Sequence, residues 1–147
     1  MAETRQLRPH GNAHFLVEIG RTSARAAEAG FCEVIFPRFV AAPTGQRPSM
    51  IASEAAGTPG DDCLVLRRGA TGALDLYEWW QAARKGGAQR GRMVTVRLLA
   101  DDLATVVMTW RFRNARPVAL SYSPLNALDG SVLMETVELA FDTVEMA

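Results

Sequence analysis

The sequence predicts a mainly β protein in which two packed antiparallel sheets form a small barrel with one flanking α-helix. Several short segments alternate apolar and polar residues, which is the period of strands that bury one face. One segment, beginning at Asp75, instead repeats apolar residues at spacings of three and four, which is the period of a helix. The 147 residues suit a single domain, and a hydrophobic content of 48% is enough to form its core.

The expected strands are spread along the whole chain. They cover residues 14–19, 31–36, 63–68, 93–99, 103–112, 118–122 and 131–141. Residues 100–102 predict a hairpin turn between the fourth and fifth strands. Pro117 predicts a break after the fifth, because proline cannot donate to a β-ladder. The fifth strand should turn Trp110 and Phe112 to the core and a polar face to the other side.

The helix should begin at Asp75, with Glu78 three residues later as an approximate capping box, and should end at two consecutive glycines, residues 86 and 87. Its apolar stripe contains Leu76, Trp79 and Trp80. We expect these side chains to pack in the core or in a subunit interface. The alternative is an aromatic platform for carbohydrate.

Composition and motifs disfavour several classes of function. Sixteen basic and sixteen acidic residues give no net charge, which argues against binding nucleic acid through its phosphates. No apolar run is long enough for a signal peptide or a membrane span, so we expect assembly in the cytoplasm. His10 and His14 have no neighbouring Cys or carboxylates at ligand spacing. We therefore expect no metal, cofactor or catalytic site, and no enzymatic activity.

Three segments together resemble a known family. They are residues 66–80 (LRRGATGALDLYEWW), 109–118 (TWRFRNARPV) and 134–141 (METVELAF). In this order they resemble the T4-like phage tail tube proteins, which include tube subunits of contractile injection systems. The resemblance implies one tail-tube-like domain over residues 1–147. It also implies hexameric rings that stack into a hollow tube inside a sheath, seated on a baseplate, with a tape-measure protein or cargo in the lumen.

The resemblance gives roles to two parts of the chain. A polar set should line the lumen or a subunit boundary, with the arginines 113 and 116 pairing with glutamates of a neighbouring subunit. This set contains Thr105, Thr109, Arg111, Arg113, Arg116, Glu135 and Glu138. The long Pro- and Gly-rich loop 41–62 should be an arm that contacts the next ring or the baseplate, with Val40, Met50 and Ile51 as its apolar contacts. Residues 1–11 form a further N-terminal arm.

Two alternatives remain open at the level of sequence. Loop 41–62 lacks two turn motifs that are typical of the family, so the chain could instead form a tube-initiator or adaptor ring between tube and baseplate. Outside this class, a monomeric β-barrel that binds carbohydrate through its tryptophans is the main alternative. A secreted hydrolase ranks last, because no catalytic motif supports it.

Overall fold

The computed structural model describes residues 9–20, 30–41, 62–86 and 91–147. These residues form seven strands and one helix. The strands are β1 (Phe15–Ile19), β2 (Phe31–Ile35), β3 (Leu64–Gly69), β4 (Arg92–Leu99), β5 (Val106–Tyr122), β6 (Met134–Ala140) and β7 (Thr143–Met146). The helix, α1 (Asp75–Arg84), lies between β3 and β4 in the sequence. The predicted mainly β class with a flanking helix is confirmed.

The described strands form one antiparallel sheet in the order β1-β4-β5-β6-β3-β2, with β7 also paired to β5. The sequence predicted two packed sheets closed into a barrel. Within the described part of the chain the sheet is instead continuous and open, with β1 and β2 at its two ends. The two halves that were expected to be separate sheets are joined because both pair with β5.

Strand β5 continues through Pro117, where a break was predicted. Its first half pairs with β4 as far as Ala115, and its second half pairs with β6 from Arg116 onwards. Beyond Ala115 the strand has a described neighbour on one side only, so a proline there removes little from the ladder. Two irregularities bend it: Asn114 has a φ of 56°, and the register shifts between Pro117 and Ala119. A single strand can therefore serve both halves of the sheet.

The hairpin predicted between β4 and β5 is confirmed. The Asp102 carboxylate accepts hydrogen bonds from the backbone N–H groups of Ala104 and Thr105, each at 2.8 Å, and from the Thr105 hydroxyl at 2.6 Å. The hydroxyl bond is the main reason that the pKa of Asp102 falls to about 2. Near the C-terminus, the predicted strand 131–141 ends at Ala140, and a separate strand, β7, follows it.

The core contains apolar residues of the sheet and of α1, which packs against β5. Leu76 and Trp79 of the helical stripe are 1% and 2% exposed, and both belong to the core. Trp80 is only half-buried. Its ring lies 6.1 Å from that of Tyr77 and 5.0 Å from the Arg84 guanidinium carbon. The two tryptophans thus face different surroundings, and Trp79 is too buried to form a carbohydrate platform.

The predicted capping box does not form. Leu74 occupies the N-cap position and makes no capping bond through its side chain. Asp75 is the first residue of α1, and its carboxylate accepts hydrogen bonds from Arg68 on β3. The interaction that fixes the start of the helix is therefore tertiary rather than local.

We expect Trp79→Ala to lower the free energy of unfolding by about 3–5 kcal/mol, because it removes a large side chain from a core that cannot fully collapse around the cavity. Trp80→Ala is the matched control and should cost clearly less, since that ring is half-buried. Urea unfolding of both variants measures the difference. Equal losses would show that the buried and half-buried rings contribute alike.

Candidate assembly surface

The outer face of the sheet, opposite the core, carries the polar residues of alternate strand positions. On β5 the core side holds Phe112 and Ala115, both 0% exposed. The residues of β5 that point the other way are Thr109, Arg111, Arg113, Arg116, Ala119 and Ser121. The polar face predicted from the sequence for the first half of β5 thus exists and extends across the bulges into the second half.

Neighbouring strands continue this outer face. Arg111 is opposite Thr95 of β4 on one side and Glu145 of β7 on the other. Thr109 is opposite Arg97 of β4. The two threonines are each only 7% exposed, although they do not point into the core. In the register, each of these threonines lies opposite a long arginine side chain of the neighbouring strand.

Most charges of the outer face are paired within the chain. The ion pairs are Arg97 with Glu18 at 2.7 Å, Arg67 with Glu33 at 2.7 Å, Arg113 with Glu145 at 3.2 Å and Arg116 with Asp142 at 3.1 Å. Each pair is at least partly exposed, so solvent and salt screen it and its effect on stability is small. Their more important effect is electrostatic, because each of these pairs puts an acidic group beside a basic one on the described part of the face.

Besides Thr109, five of the seven residues predicted to line the lumen or a subunit boundary fall into three groups. Thr105 lies in the β4–β5 turn, where its hydroxyl donates to Asp102. Arg113 and Arg116 lie on the outer face with carboxylate partners from their own chain. Arg111 and Glu138 lie on the same face, and within the described residues neither has an ion-pair partner within 4 Å.

Glu135, the last predicted site residue, does not lie on the outer face. It is 2% exposed on the core side of β6, and its Oε1 accepts a hydrogen bond from Arg68 Nε at 2.9 Å. A glutamate in this position is not accessible to a neighbouring subunit. Of the two glutamates predicted to pair with a neighbouring subunit, Glu138 is therefore the one that such a subunit could reach.

Glu135 belongs to a polar row at one end of the core. In register, Phe31, Arg68, Glu135 and Tyr122 lie side by side on β2, β3, β6 and β5. The Arg68 guanidinium carbon lies 5.4 Å from the centre of the Phe31 ring. The Tyr122 hydroxyl donates to Glu135 Oε2 at 2.9 Å. Four strands are thus connected by one row of side-chain contacts.

Asp75 connects this row to the helix, because both terminal nitrogens of Arg68 donate to its carboxylate. Burial tends to raise the pKa of Asp75, but the hydrogen bonds and charge of Arg68 outweigh it and hold the pKa below its ordinary value. Burial, followed by the hydrogen bond to Glu135, raises the pKa of Tyr122. At neutral pH Asp75 is therefore ionised and the Tyr122 hydroxyl keeps its proton.

The sequence analysis did not identify this row. The available signal was Arg68 at an apolar-face position of β3, two residues after Leu66, and Glu135 two residues before Val137 on β6. A charged residue in the apolar register of each of two strands indicates a buried pair. Alternation of apolar and polar residues does not show which strands are adjacent in the sheet. The pairing of Arg68 with Glu135 could therefore not be predicted from it.

The described residues contain no group of three or more His, Cys, Asp or Glu side chains that could hold a metal ion. In the described part of the chain, no helix is long and apolar enough to cross a membrane.

A β domain that has open sheet edges and a polar outer face is suited to assembly with other chains, because an edge strand can pair with a further strand. The family model described as T4-like virus tail tube protein gp19 matches residues 11–145. The chain belongs to this family. No curated protein matches it.

Solved structures with a similar fold come from contractile particles. A chain of the sheath–tube complex of the extracellular contractile injection system PVC, in its extended state, is 20% identical, with a TM-score of 0.66 over 95% of this chain and 91% of that one. A chain of the tube terminating cap of the anti-feeding prophage is 16% identical, with a TM-score of 0.71 over 99% and 95%. A chain of the PVC sheath/tube terminator is 20% identical, with a TM-score of 0.70 over 96% and 98%. At these identities the similarity shows the shared fold.

We expect Glu135→Leu to lower the free energy of unfolding by about 3–5 kcal/mol, because it leaves the buried Arg68 without one of its carboxylates. Glu33→Leu is the matched control, since the ion pair of Glu33 with Arg67 is partly exposed and should be worth less than about 1 kcal/mol. Chemical denaturation measures both. A loss at Glu135 no larger than that at Glu33 would contradict the assigned role of the buried pair.

Acid should weaken the contact between Asp75 and Arg68. The pKa of Asp75 is lower in the folded protein than its ordinary value of 3.8, so the stabilisation is complete above that value and is lost as the pH falls through the folded pKa. Unfolding of the wild type and Asp75→Asn, compared from pH 7 to pH 2, measures this. The stability difference should be constant near neutrality and should shrink in acid. A difference that does not change with pH would rule out the contact as its source.

Proposed function

We propose that this protein is a non-enzymatic structural subunit of the inner tube of a contractile phage tail or phage-tail-like injection system. It forms hexameric rings that stack into a conduit. The observation that carries the proposal, together with the family, is the open sheet: β1, β2 and the second half of β5 each have a described neighbour on one side only. Joining subunits around a ring satisfies such edges by symmetry and stops further pairing.

The outer face of the sheet supports a role for it as the wall of the conduit. Internally paired charges keep that wall hydrated without a strong field of either sign. A tape-measure protein or cargo can pass along such a surface without being held by it. The antiparallel ladder provides stiffness, so that contraction of a surrounding sheath drives the tube forward as a rigid body. Sheath and baseplate or hub proteins are the external partners.

A second role within the same class is an adaptor ring between tube and baseplate. A chain of the anti-feeding prophage baseplate has a similar fold, with a TM-score of 0.62 at 18% identity. The two roles differ in copy number. A tube subunit polymerises with itself, whereas an adaptor stops at one ring and needs a baseplate protein. In either role the protein assembles in the cytoplasm and becomes part of the particle.

Ring formation tests the proposal. The full chain should elute with the mass of a hexamer in size-exclusion chromatography with light scattering, and rings should be visible by negative-stain microscopy. Arg113→Glu should reduce hexamer formation at least tenfold while the monomer stays folded, because it reverses an exposed charge on the proposed boundary.

Glu145→Gln is the control for that variant. It removes the partner of Arg113 within the chain but leaves the arginine charge in place, so rings should persist. Intact rings from Arg113→Glu would exclude Arg113 from the interface. A wild-type protein that remains monomeric at all concentrations would overturn the proposed function itself.

Residues 41–62 remain our proposed arm for ring stacking or baseplate attachment. Val40 is 60% exposed immediately before this segment, while Met50 and Ile51 lie outside the described residues. Replacing residues 42–60 with a short Gly-Ser linker should leave the subunit folded and the rings intact but prevent stacking or attachment. Hydrogen exchange of the wild-type segment should slow on assembly. No change in exchange between the free and assembled protein would exclude the arm.

A further inference from the structure

One edge of β5 changes its partner at a single level of the sheet. On this edge β7 pairs with the strand as far as Arg113, whereas β6 pairs with it from Arg116 onwards. The connection between β6 and β7, residues 141–142, therefore lies beside residues 114–115. The strand itself is irregular at the same level, because Asn114 has a φ of 56°. We call this level the corner of the sheet.

Asn114 adopts the left-handed backbone conformation, which is uncommon for residues other than glycine. Asparagine is one of the few side chains that tolerate it, because a short polar side chain can hydrogen-bond to nearby groups. Here the Asn114 Nδ2 donates to Asp142 Oδ2 at 2.7 Å. The backbone N–H of Asp142 donates in turn to the Arg113 carbonyl at 3.0 Å. The connection between β6 and β7 is thus bonded to β5 through both side chain and backbone.

Arg116 completes these contacts from the other side of the irregular position. Its Nη1 donates to Asp142 Oδ1 at 3.1 Å and to the Asn114 carbonyl at 2.8 Å. The two oxygens of one carboxylate therefore accept from residues on both sides of Ala115. The hydrogen bond of Asn114, followed by that of Arg116, lowers the pKa of Asp142, so this carboxylate is ionised at neutral pH.

A third part of the chain meets the corner at Gly91, immediately before β4. A Cβ placed on Gly91 would overlap Asn114 Oδ1 and would lie 2.8 Å from Asn114 Cγ and 3.3 Å from Asn114 Cα. The Asn114 amide thus occupies the space that a side chain at position 91 would need. Close approach of another side chain explains a glycine at this position.

The same connection is also fixed on the side of the core. The Phe141 ring lies 5.0 Å from that of Phe112, edge to face, and packs against the core. The two halves of the sheet meet here, because β4 and β7 pair with the first half of β5 and β6 pairs with the second. A change of backbone conformation at the corner would therefore turn one half of the sheet relative to the other.

We propose that Gly91, Asn114, Arg116 and Asp142 form a corner cluster that fixes the angle between the two halves of the sheet. Without the Asp142 carboxylate, the backbone at Asn114 is no longer held in one conformation and β5 samples more than one bend. The inference concerns the fold of a single subunit and does not depend on the proposed function. It gives Asn114 and Arg116 a role within the subunit.

A double-mutant cycle tests the contact between Gly91 and Asn114. Gly91→Ala should raise the equilibrium constant of unfolding about tenfold, because the added Cβ displaces the Asn114 amide from Asp142. In an Asn114→Gly background the same change should raise it less than about threefold, because the overlapping side chain is gone. Gly11→Ala is the matched control, since a Cβ there meets no described atom within 4 Å.

Urea unfolding measures all four proteins of the cycle and the control. If Gly91→Ala alone does not fold, recovery of folding on adding Asn114→Gly gives the same information. Equal effects of Gly91→Ala in the two backgrounds, or no recovery of folding, would overturn the assigned contact.

Asp142→Ala tests the angle itself. Spin labels at positions 103 and 125 lie in the connections at the two ends of β5, where the native leucines are 60% and 86% exposed. The distance between them therefore reports on the bend of the strand. Serine replaces the two native cysteines, and labelled protein is diluted with unlabelled protein so that only distances within one chain are measured. The distance distribution should become about twofold wider in Asp142→Ala.

Two further variants are the controls for this measurement. Glu145→Ala removes an exposed ion pair with Arg113 outside the corner cluster, so the distribution should stay narrow. Asp142→Asn keeps one acceptor oxygen and should give an intermediate width. An unchanged distribution in Asp142→Ala, or equal broadening by Glu145→Ala, would show that the corner cluster does not fix the angle. Circular dichroism of each variant checks that the subunit is folded.

Discussion

The double pairing of β5 is the constraint on which the rest of the structure depends. At 17 residues, this strand is about three times as long as a typical strand. It pairs with β4 along its first half, with β6 along its second half, and with β7 on the edge opposite β4. Each of two separate small sheets would be only marginally stable. Because β5 belongs to both, they share one core around Phe112 and Ala115, and the bulges provide the bend that this requires.

The Arg68 row fixes the register at the other side of that core. A slip of β3 or β6 by one residue would turn the buried charge to the outer face and put an outer polar residue among leucines. The contact of Arg68 with Asp75 adds the helix to the same arrangement. An apolar row would provide comparable stability with less discrimination between registers. We therefore interpret this row chiefly as a means of selecting one arrangement of strands and helix.

Much of the fold could be predicted from local pattern, and the exceptions have physical causes. Alternation located most of the strands, and the apolar spacing of Leu76 and Trp79 identified the buried side of α1. The prediction of a break at Pro117 was wrong, because the missing N–H of a proline matters only where a neighbouring strand is present on that side. The prediction of a capping box was wrong, because the Asp75 carboxylate accepts hydrogen bonds from Arg68, a contact that the spacing of Asp75 and Glu78 does not reveal.

The residues of the candidate assembly surface could also be predicted only in part from local pattern. Alternation placed Thr109, Arg111 and Arg113 together on one face, and the register confirms that they share it. Alternation put Glu135 among the apolar residues of the final strand, but its buried partner, Arg68, depends on the order of strands in the sheet, which alternation does not give. It also gave no reason to expect that Leu125 and Leu128 are exposed, since an exposed leucine and a buried one look alike in a turn-rich segment. Exposure is a property of the tertiary fold.

The open edges of the sheet bear on how a small domain of this family can assemble. β1, β2 and the second half of β5 each have a described neighbour on one side only, so each offers backbone hydrogen bonds to a further strand. In the ring that we propose, this pairing requires close alignment of neighbouring strands, and symmetry closes it at a fixed number of copies. Backbone pairing of this kind limits growth within one ring, so the stacking of rings in our proposal requires a different contact.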